Sequence, residues 1–599
     1  MRKLTPGMDP HSWFTADQPR ATHLDWNIRV DFEAHVLKAT ATWTFDKSGK
    51  VELDTSDLAI FKIVDPTTGS DVSWELDTPD KIPGSRLSFT MPDSRQVAIT
   101  YATSHGASGL QWFDAKPGIK PGLITQFEPI HARSAIPCPD SPGVKFTSMV
   151  RVTVPSEVRG LCAANHFLGR VDNGDGTSTE TWKRDRPYSA YLLAILVGDY
   201  HYREYDDRCG VWALPEMLDR AHAEFVSLPT IIAAAEKLFR RPMPSGRFTP
   251  AVLPASFPYG GMENPVLTFL SPLVVAGDKA RIQVLVHELV HDWLGNYVTN
   301  KTWSEMWLNE GPTVWGEERL LEILEGVDRA NMYRTSEMVA LERSLEAKCA
   351  KGWSCKTALC CDLVGIHPDD VFDQVPYGKG SAFFWLLEET VGRECFDNFM
   401  ELYLNTFGGK SLSTAEFLDF ADEHLPVGTT ARVRAHRWVY GEGVPDNVPK
   451  PASSLVDAVT PYATASTIPP LEIGKQWIGG QWGIYFNTLK KNKPPITTLE
   501  ELEKNFGFTT AVDPNRRAGF ALLAIETGHV GFAATTATEL LITYGNLGYV
   551  TRFYRELCKA GPAGIALARE IFAKARSTYH PITVGFALRA MRDAGVEIT

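Results

Sequence analysis

In the first third of the chain, apolar residues recur at every second position. Leu24, Trp26, Ile28, Val30 and Phe32 alternate with polar neighbours, and Val150, Val152 and Val154 repeat the pattern. A period of two places successive side chains on opposite faces of a strand, so residues 1–200 are predicted to be mostly β-sheet with one buried and one wetter face. Further along the period lengthens. Ile282, Leu285, Val286, Leu289, Val290 and Trp293 fall at i, i+3, i+4, i+7, i+8 and i+11, which predicts a helix over Arg281 to Asn296. The stretch WSEMWLNEGPTVWGEERLL, from Trp303, is helical in pattern too, and another helix is expected to begin near Gly378 or Lys379. From Gly443 to Pro470 the chain turns to Pro, Ser, Ala and Thr, which predicts a linker or a segment lying along the surface. Ala- and Leu-rich sequence then regains helical spacing, as in Ile565, Ala568 and Phe572. A length of 599 residues exceeds what one hydrophobic core organises. Four segments are therefore expected: a β domain over 1–200, a second domain over 201–445, a Pro-rich linker over 446–470 and a helical domain over 471–599.

Composition narrows the class. With 44% hydrophobic and 22% charged residues the chain reads as an ordinary globular protein. Its formal net charge of −12 argues against nucleic acid or an anionic membrane as partner. The start, MRKLTPGMDPHSWF, is basic but lacks the apolar core of a secretory signal, and the longest apolar run, Leu192 to Val197, is too short to span a bilayer. A cytoplasmic protein is expected, and its nine scattered cysteines suit a reducing compartment. Cys349, Cys355, Cys360 and Cys361 lack the CxxC pairs of a structural zinc site.

The helix over Arg281 to Asn296 carries HELVH. Positions i and i+4 lie on one helix face, so His287 and His291 can turn two imidazole nitrogens toward one metal ion. Glu288 points to the side, within reach of a water at that metal, where a carboxylate can accept a proton. A buried helix with two hydrogen-bonded histidines also satisfies the motif. Glu310, after eighteen further residues, supplies the missing third ligand of a two-His, one-Glu set with an open fourth position.

HELVHDW, then TNKTW, then WLNEG, preceded by PYGGMENP from Pro258 to Pro265, resembles the M1 family of zinc aminopeptidases, the gluzincins. ASFPYGGMENP, GNYVTNKTW and VPYGKG resemble its leukotriene A4 hydrolase-like branch. The resemblance implies an α+β multidomain fold: an N-terminal β-saddle domain, a thermolysin-like and mainly α catalytic domain, and a C-terminal α-helical superhelix domain. It implies one Zn2+ on His287, His291 and Glu310, Glu288 as general base, and Tyr377 as the phenol that donates to the tetrahedral oxyanion. Glu317 is a candidate partner for a ligand histidine.

The same resemblance points to the substrate side. In TQFEPIHARSAIPC it makes Glu128, with Gln126 beside it, a residue that holds a peptide's α-amino group. The branch commonly has glutamine at Glu128, so this chain sides there with the general aminopeptidases. Read without the resemblance, the segment is a loop with Glu128 and His131 merely solvated. In GGMEN, Gly260, Gly261 and Met262 would let the backbone approach an extended peptide and Glu263 would face its ammonium; alone, the motif also reads as a glycine turn with an exposed glutamate. Asp369, in HPDD, matches the acid tied to epoxide hydrolysis in the branch, whereas Phe372 stands where tyrosine is found. At the branch's Arg-x-Lys carboxylate site this chain has Leu547 and Tyr549, with Arg552 or Arg555 as substitutes. The implied function is removal of the N-terminal residue from peptides with a free amino end, by a monomer or weak oligomer. The alternatives are a bifunctional leukotriene A4 hydrolase-like epoxide hydrolase, a thermolysin-type endopeptidase, and a non-catalytic scaffold.

Overall fold

The computed structural model describes residues 8–596. Arg2 and Lys3, on which the reading of the N-terminus partly rests, lie outside that range. The alternating segments form a seven-stranded sheet in the order His166–Asp172, Thr177–Ser189, Lys145–Pro155, Ala21–Asp31, Val36–Phe45, Gln96–Ala102, Ala59–Val64. Ala21–Asp31 and Lys145–Pro155 run parallel at its centre, with Trp26 opposite Val150 and Ile28 opposite Val152. All four are buried, as the period of two requires, in a core that also takes in Trp43 and Phe146. A second sheet of four strands contains Ile195–Gly198 and Gly122–Thr125, both wholly buried. The apolar run Leu192 to Val197 is thus core, and the end of Gly122–Thr125 delivers Gln126 and Glu128 to the domain boundary. Among the described residues no helix is long and apolar enough to cross a membrane.

The middle of the chain mixes a short five-stranded sheet with helices around a separate core that includes Trp293, Trp307 and Trp315. Gly261–Met262 is the last strand of that sheet and, among the described residues, pairs only with Phe269–Leu270, so its outer edge stays open to an added strand. Helices Ile282–Val290, Trp307–Glu325, Val327–Ala350 and Gly380–Val391 pack beside it. The tightest crossing is at Gly311 and Gly380, where a Cβ on Gly311 would sit 2.8 Å from the Gly380 Cα. Both positions take glycine because the two backbones meet there.

The last third is helical throughout, from Gly479–Leu489 to Pro581–Asp593. Ala568 and Phe572 are buried in its core and Ile565 packs against it. The Pro-rich stretch is more ordered than a bare linker: Ser454–Asp457 and Thr460–Thr464 are helical turns, and Val459 and Ala463 are fully buried in the same core. Their i, i+4 spacing forms one apolar stripe. Backbone hydrogen bonds from Gly545 to Ala255 and from Leu547 to Pro258 dock the helical domain on the loop that leads into GGMEN. The architecture is the three-domain one predicted: β-rich, catalytic and helical.

Candidate metal centre and substrate cleft

His287 lies in the last turn of Ile282–Val290, and His291 caps it. This helix ends sooner than its periodicity predicts, because Gly295 at φ 102° turns the chain back before Asn296. His291 still has helical angles, φ −54° and ψ −25°, so the i, i+4 relation holds. The two Nε2 atoms stand 3.0 Å apart, and Glu310 Oε2 is 3.4 Å from each. On the far side of each ring Nδ1 meets an acceptor: Glu317 Oε2 at 3.0 Å for His287, and the Leu294 carbonyl at 3.1 Å for His291. Those acceptors place the ring protons on Nδ1. Both Nε2 lone pairs therefore converge on a carboxylate oxygen that accepts no hydrogen bond. Three buried acceptors with no donor among them repel one another unless a cation sits between them. Two neutral nitrogens and one carboxylate, with room for a fourth ligand, are the donor set of a catalytic zinc ion, and zinc is the cofactor they fit.

Glu263 and Glu288 also bring carboxylate oxygens within 4.8 Å of His291. Burial pushes the Glu288 carboxyl up, and the neighbouring acids Glu263 and Glu310 push it further. Glu288 is pressed against the edge strand, where a Cβ at Gly261 would overlap its Oε1. A buried carboxylate thus lies directly under the open strand edge.

Glu128 and Glu263 are 3% and 4% exposed, and His131 is 8% exposed. The solvated-loop and exposed-turn alternatives therefore do not describe this chain. Carboxylate oxygens of Glu128, Glu263 and Glu310 lie within 4.8 Å of one another. Burial raises the Glu128 pKa well above the usual carboxylate range, and the negative neighbours Glu263, Glu310 and Glu288 raise it further. Among the described residues, Glu128 Oε1 has no donor. A cavity of about 690 Å³ joins these acids to the metal ligands and to Tyr377.

Tyr377 sits in the single π-helical turn Val375–Lys379 that precedes Gly380–Val391. The Gly311–Gly380 crossing brings that turn against the helix bearing Glu310. The Tyr377 ring lies 6.1 Å from the His287 ring. Burial, then Glu310, Glu128 and Glu263, keeps its phenol protonated well past the usual range, so it faces the centre as a donor. Lys379 anchors the turn from below through the Thr357 and Gly441 carbonyls, both at 2.8 Å.

The remaining predicted residues are placed less directly. Gln126 and Met262 touch each other, Nε2 to Sδ at 3.2 Å, behind the acids. Gly260 and Gly261 line the cleft. Asp369 is held by His131 Nε2 at 3.2 Å and lines an adjoining chamber of about 600 Å³ rather than the metal-centred one. Arg552 lines the metal-centred cleft with its guanidinium engaged by Glu526, and Arg555 lines both chambers. Sequence patterns did not disclose Arg343, which lines the cleft, or Asn309 and Tyr191, which are buried beside Glu263. Asn309 stood in plain view beside Glu310, but its neighbours come from other segments.

The Peptidase family M1 domain model matches residues 224–438, and the peptidase M1 N-terminal domain model matches residues 20–192. The leukotriene A4 hydrolase C-terminal model matches residues 477–588. A leukotriene A-4 hydrolase of Xenopus laevis is 30% identical over 96% of this chain and 98% of its own length. The chain belongs to peptidase family M1. Other relatives include a leucine aminopeptidase 2 of Yarrowia lipolytica, 31% identical over 97% of this M1 chain and 93% of its own. A solved structure of yeast LTA4 hydrolase in complex with bestatin superposes with a TM-score of 0.88 at 26% identity, covering 99% of this chain and 98% of the other. The HELVH, WLNEG and GGMEN stretches all fall within the matched M1 domain.

Proposed function

We propose that this M1 chain is a zinc aminopeptidase that removes the N-terminal residue from peptides with a free amino end. One observation carries the reading: two buried carboxylates, Glu128 and Glu263, stand beside a two-His, one-Glu metal site with no cationic side chain among them. An ammonium set between them is paired, whereas an internal peptide bond would leave both acids desolvated without a partner. The metal is one residue further along, so the first peptide bond is the one presented.

His287, His291 and Glu310 hold the ion. Zinc bound there supplies Lewis acidity, polarising a carbonyl and acidifying water. The open edge of Gly261–Met262 pairs with the backbone of the extended substrate. Glu288 takes the proton of the attacking water and returns it to the leaving amine. The Tyr377 hydroxyl donates to the oxygen on which negative charge develops. Gln126 and Met262 back the first side chain. Asp369, tied to His131, is left outside these steps, which weakens the epoxide-hydrolase alternative. The net charge of −12 supports a reading without nucleic-acid or anionic-membrane partners. We place the enzyme in the cytoplasm as a monomer or weak oligomer.

Product mapping tests the reading. A hexapeptide with a free amino end should shorten one residue at a time from that end, and its N-acetylated counterpart should remain intact. Internal fragments from either peptide would point to an endopeptidase instead.

A further inference from the structure

Asn309 is completely buried and stands next to Glu310 in the first turn of Trp307–Glu325. Its Nδ2 donates to Glu263 Oε1 at 3.3 Å and to the Tyr191 hydroxyl at 3.5 Å. Tyr191 comes from the β domain, where its ring packs edge-on against Trp303 at 5.1 Å. Behind the amide, a Cβ at Gly295 would overlap Asn309 Oδ1 and come within 2.7 Å of His291 Nδ1. The glycine at that left-handed position therefore lets the asparagine and the metal-site histidine pack against one turn. Asn296, one residue on, donates to the Glu263 carbonyl at 2.7 Å.

A fully buried amide costs desolvation that an apolar residue of similar volume would avoid. What the amide provides is a neutral donor. Glu263 lines the cleft within 4.8 Å of the other acids Glu128, Glu288 and Glu310, whose repulsion acts against any one fixed position of its carboxylate. Lysine or arginine would fix it but cancel its charge. An amide fixes it and leaves the charge available to a ligand. Asn309 and Glu310 are also consecutive in one helical turn, so the backbone itself sets the span between carboxylate and metal.

We infer that Asn309 is a positioning residue for the amine anchor: it holds Glu263 at a fixed distance from Glu310 and so sets which peptide bond reaches the metal. This rests on Glu263 binding the substrate ammonium, as proposed above.

The test is steady-state kinetics on a leucyl amide for Asn309→Ala, Asn309→Asp, Glu263→Gln and the Asn309→Ala/Glu263→Gln double variant, with zinc content measured on each. Losing a hydrogen bond to a charged group should raise KM about ten-fold or more in Asn309→Ala while kcat stays within about three-fold. Asn309→Asp keeps the shape but faces Glu263 with a second acid, and should raise KM further. In the Glu263→Gln background, Asn309→Ala should add less than about two-fold, because both changes act on one interaction. Zinc should remain at one ion per chain throughout. A wild-type KM in both Asn309 variants, fully multiplicative effects in the double variant, or zinc loss that tracks the activity loss would each overturn the inference. A Glu263→Gln variant with unchanged KM would overturn the anchor reading and this inference with it.

Discussion

Replacing Glu288 by glutamine should lower kcat by about 10³-fold or more, with KM close to that of the unaltered enzyme and one zinc ion still bound per chain. The size follows from the geometry. Glu288 is the acid pressed under the open strand edge and is not one of the three converging ligands. Glutamine keeps its volume against Gly261 but cannot take a proton from water. Metal analysis alongside kinetics separates the roles: if the base reading is right, activity goes and zinc stays. Near-normal peptidase activity in this variant would falsify the assignment.

The second large effect is at Tyr377. Tyr377→Phe should reduce kcat and kcat/KM together, by about 10²-fold to 10³-fold, and leave KM within about two-fold. A donor aimed at charge that exists only in the transition state contributes nothing to ground-state binding. The ring itself packs against Phe372 at 6.0 Å, and phenylalanine preserves that contact, so loss of packing is not a competing explanation. A raised KM with kcat intact would instead make Tyr377 a wall of the substrate pocket. Thermal melting should be little changed, because the turn is anchored by Lys379 rather than by the phenol.

Much of this site was legible because its chemistry depends on local spacing. His287 and His291 lie four residues apart on one helix, Glu310 lies on a helix of its own, and alternation alone located the strands Ala21–Asp31 and Lys145–Pro155. Contacts that need the third dimension were not legible. The meeting of Gly311 with Gly380 joins segments nearly seventy residues apart, yet it decides where Tyr377 points. The His131 side chain that holds Asp369 comes from a different domain, 238 residues earlier. Periodicity extended the HELVH helix to Asn296 because Trp293 is apolar and buried, and it could not register the reversal at Gly295. Prolines at 461, 469 and 470 masked the four-residue spacing of Val459 and Ala463, which buries that stretch against the helical domain.

Catalysis at this site requires both a metal ion and a substrate with a free amino end. The measurement is hydrolysis of a fluorogenic leucyl amide and its N-acetylated counterpart by the full-length protein, before chelation, after chelation, and after zinc is returned. The free-amine substrate alone should be cleaved, with activity lost on chelation and restored by about one equivalent of zinc per chain. Cleavage of the acetylated substrate, or activity that survives chelation, would contradict that requirement.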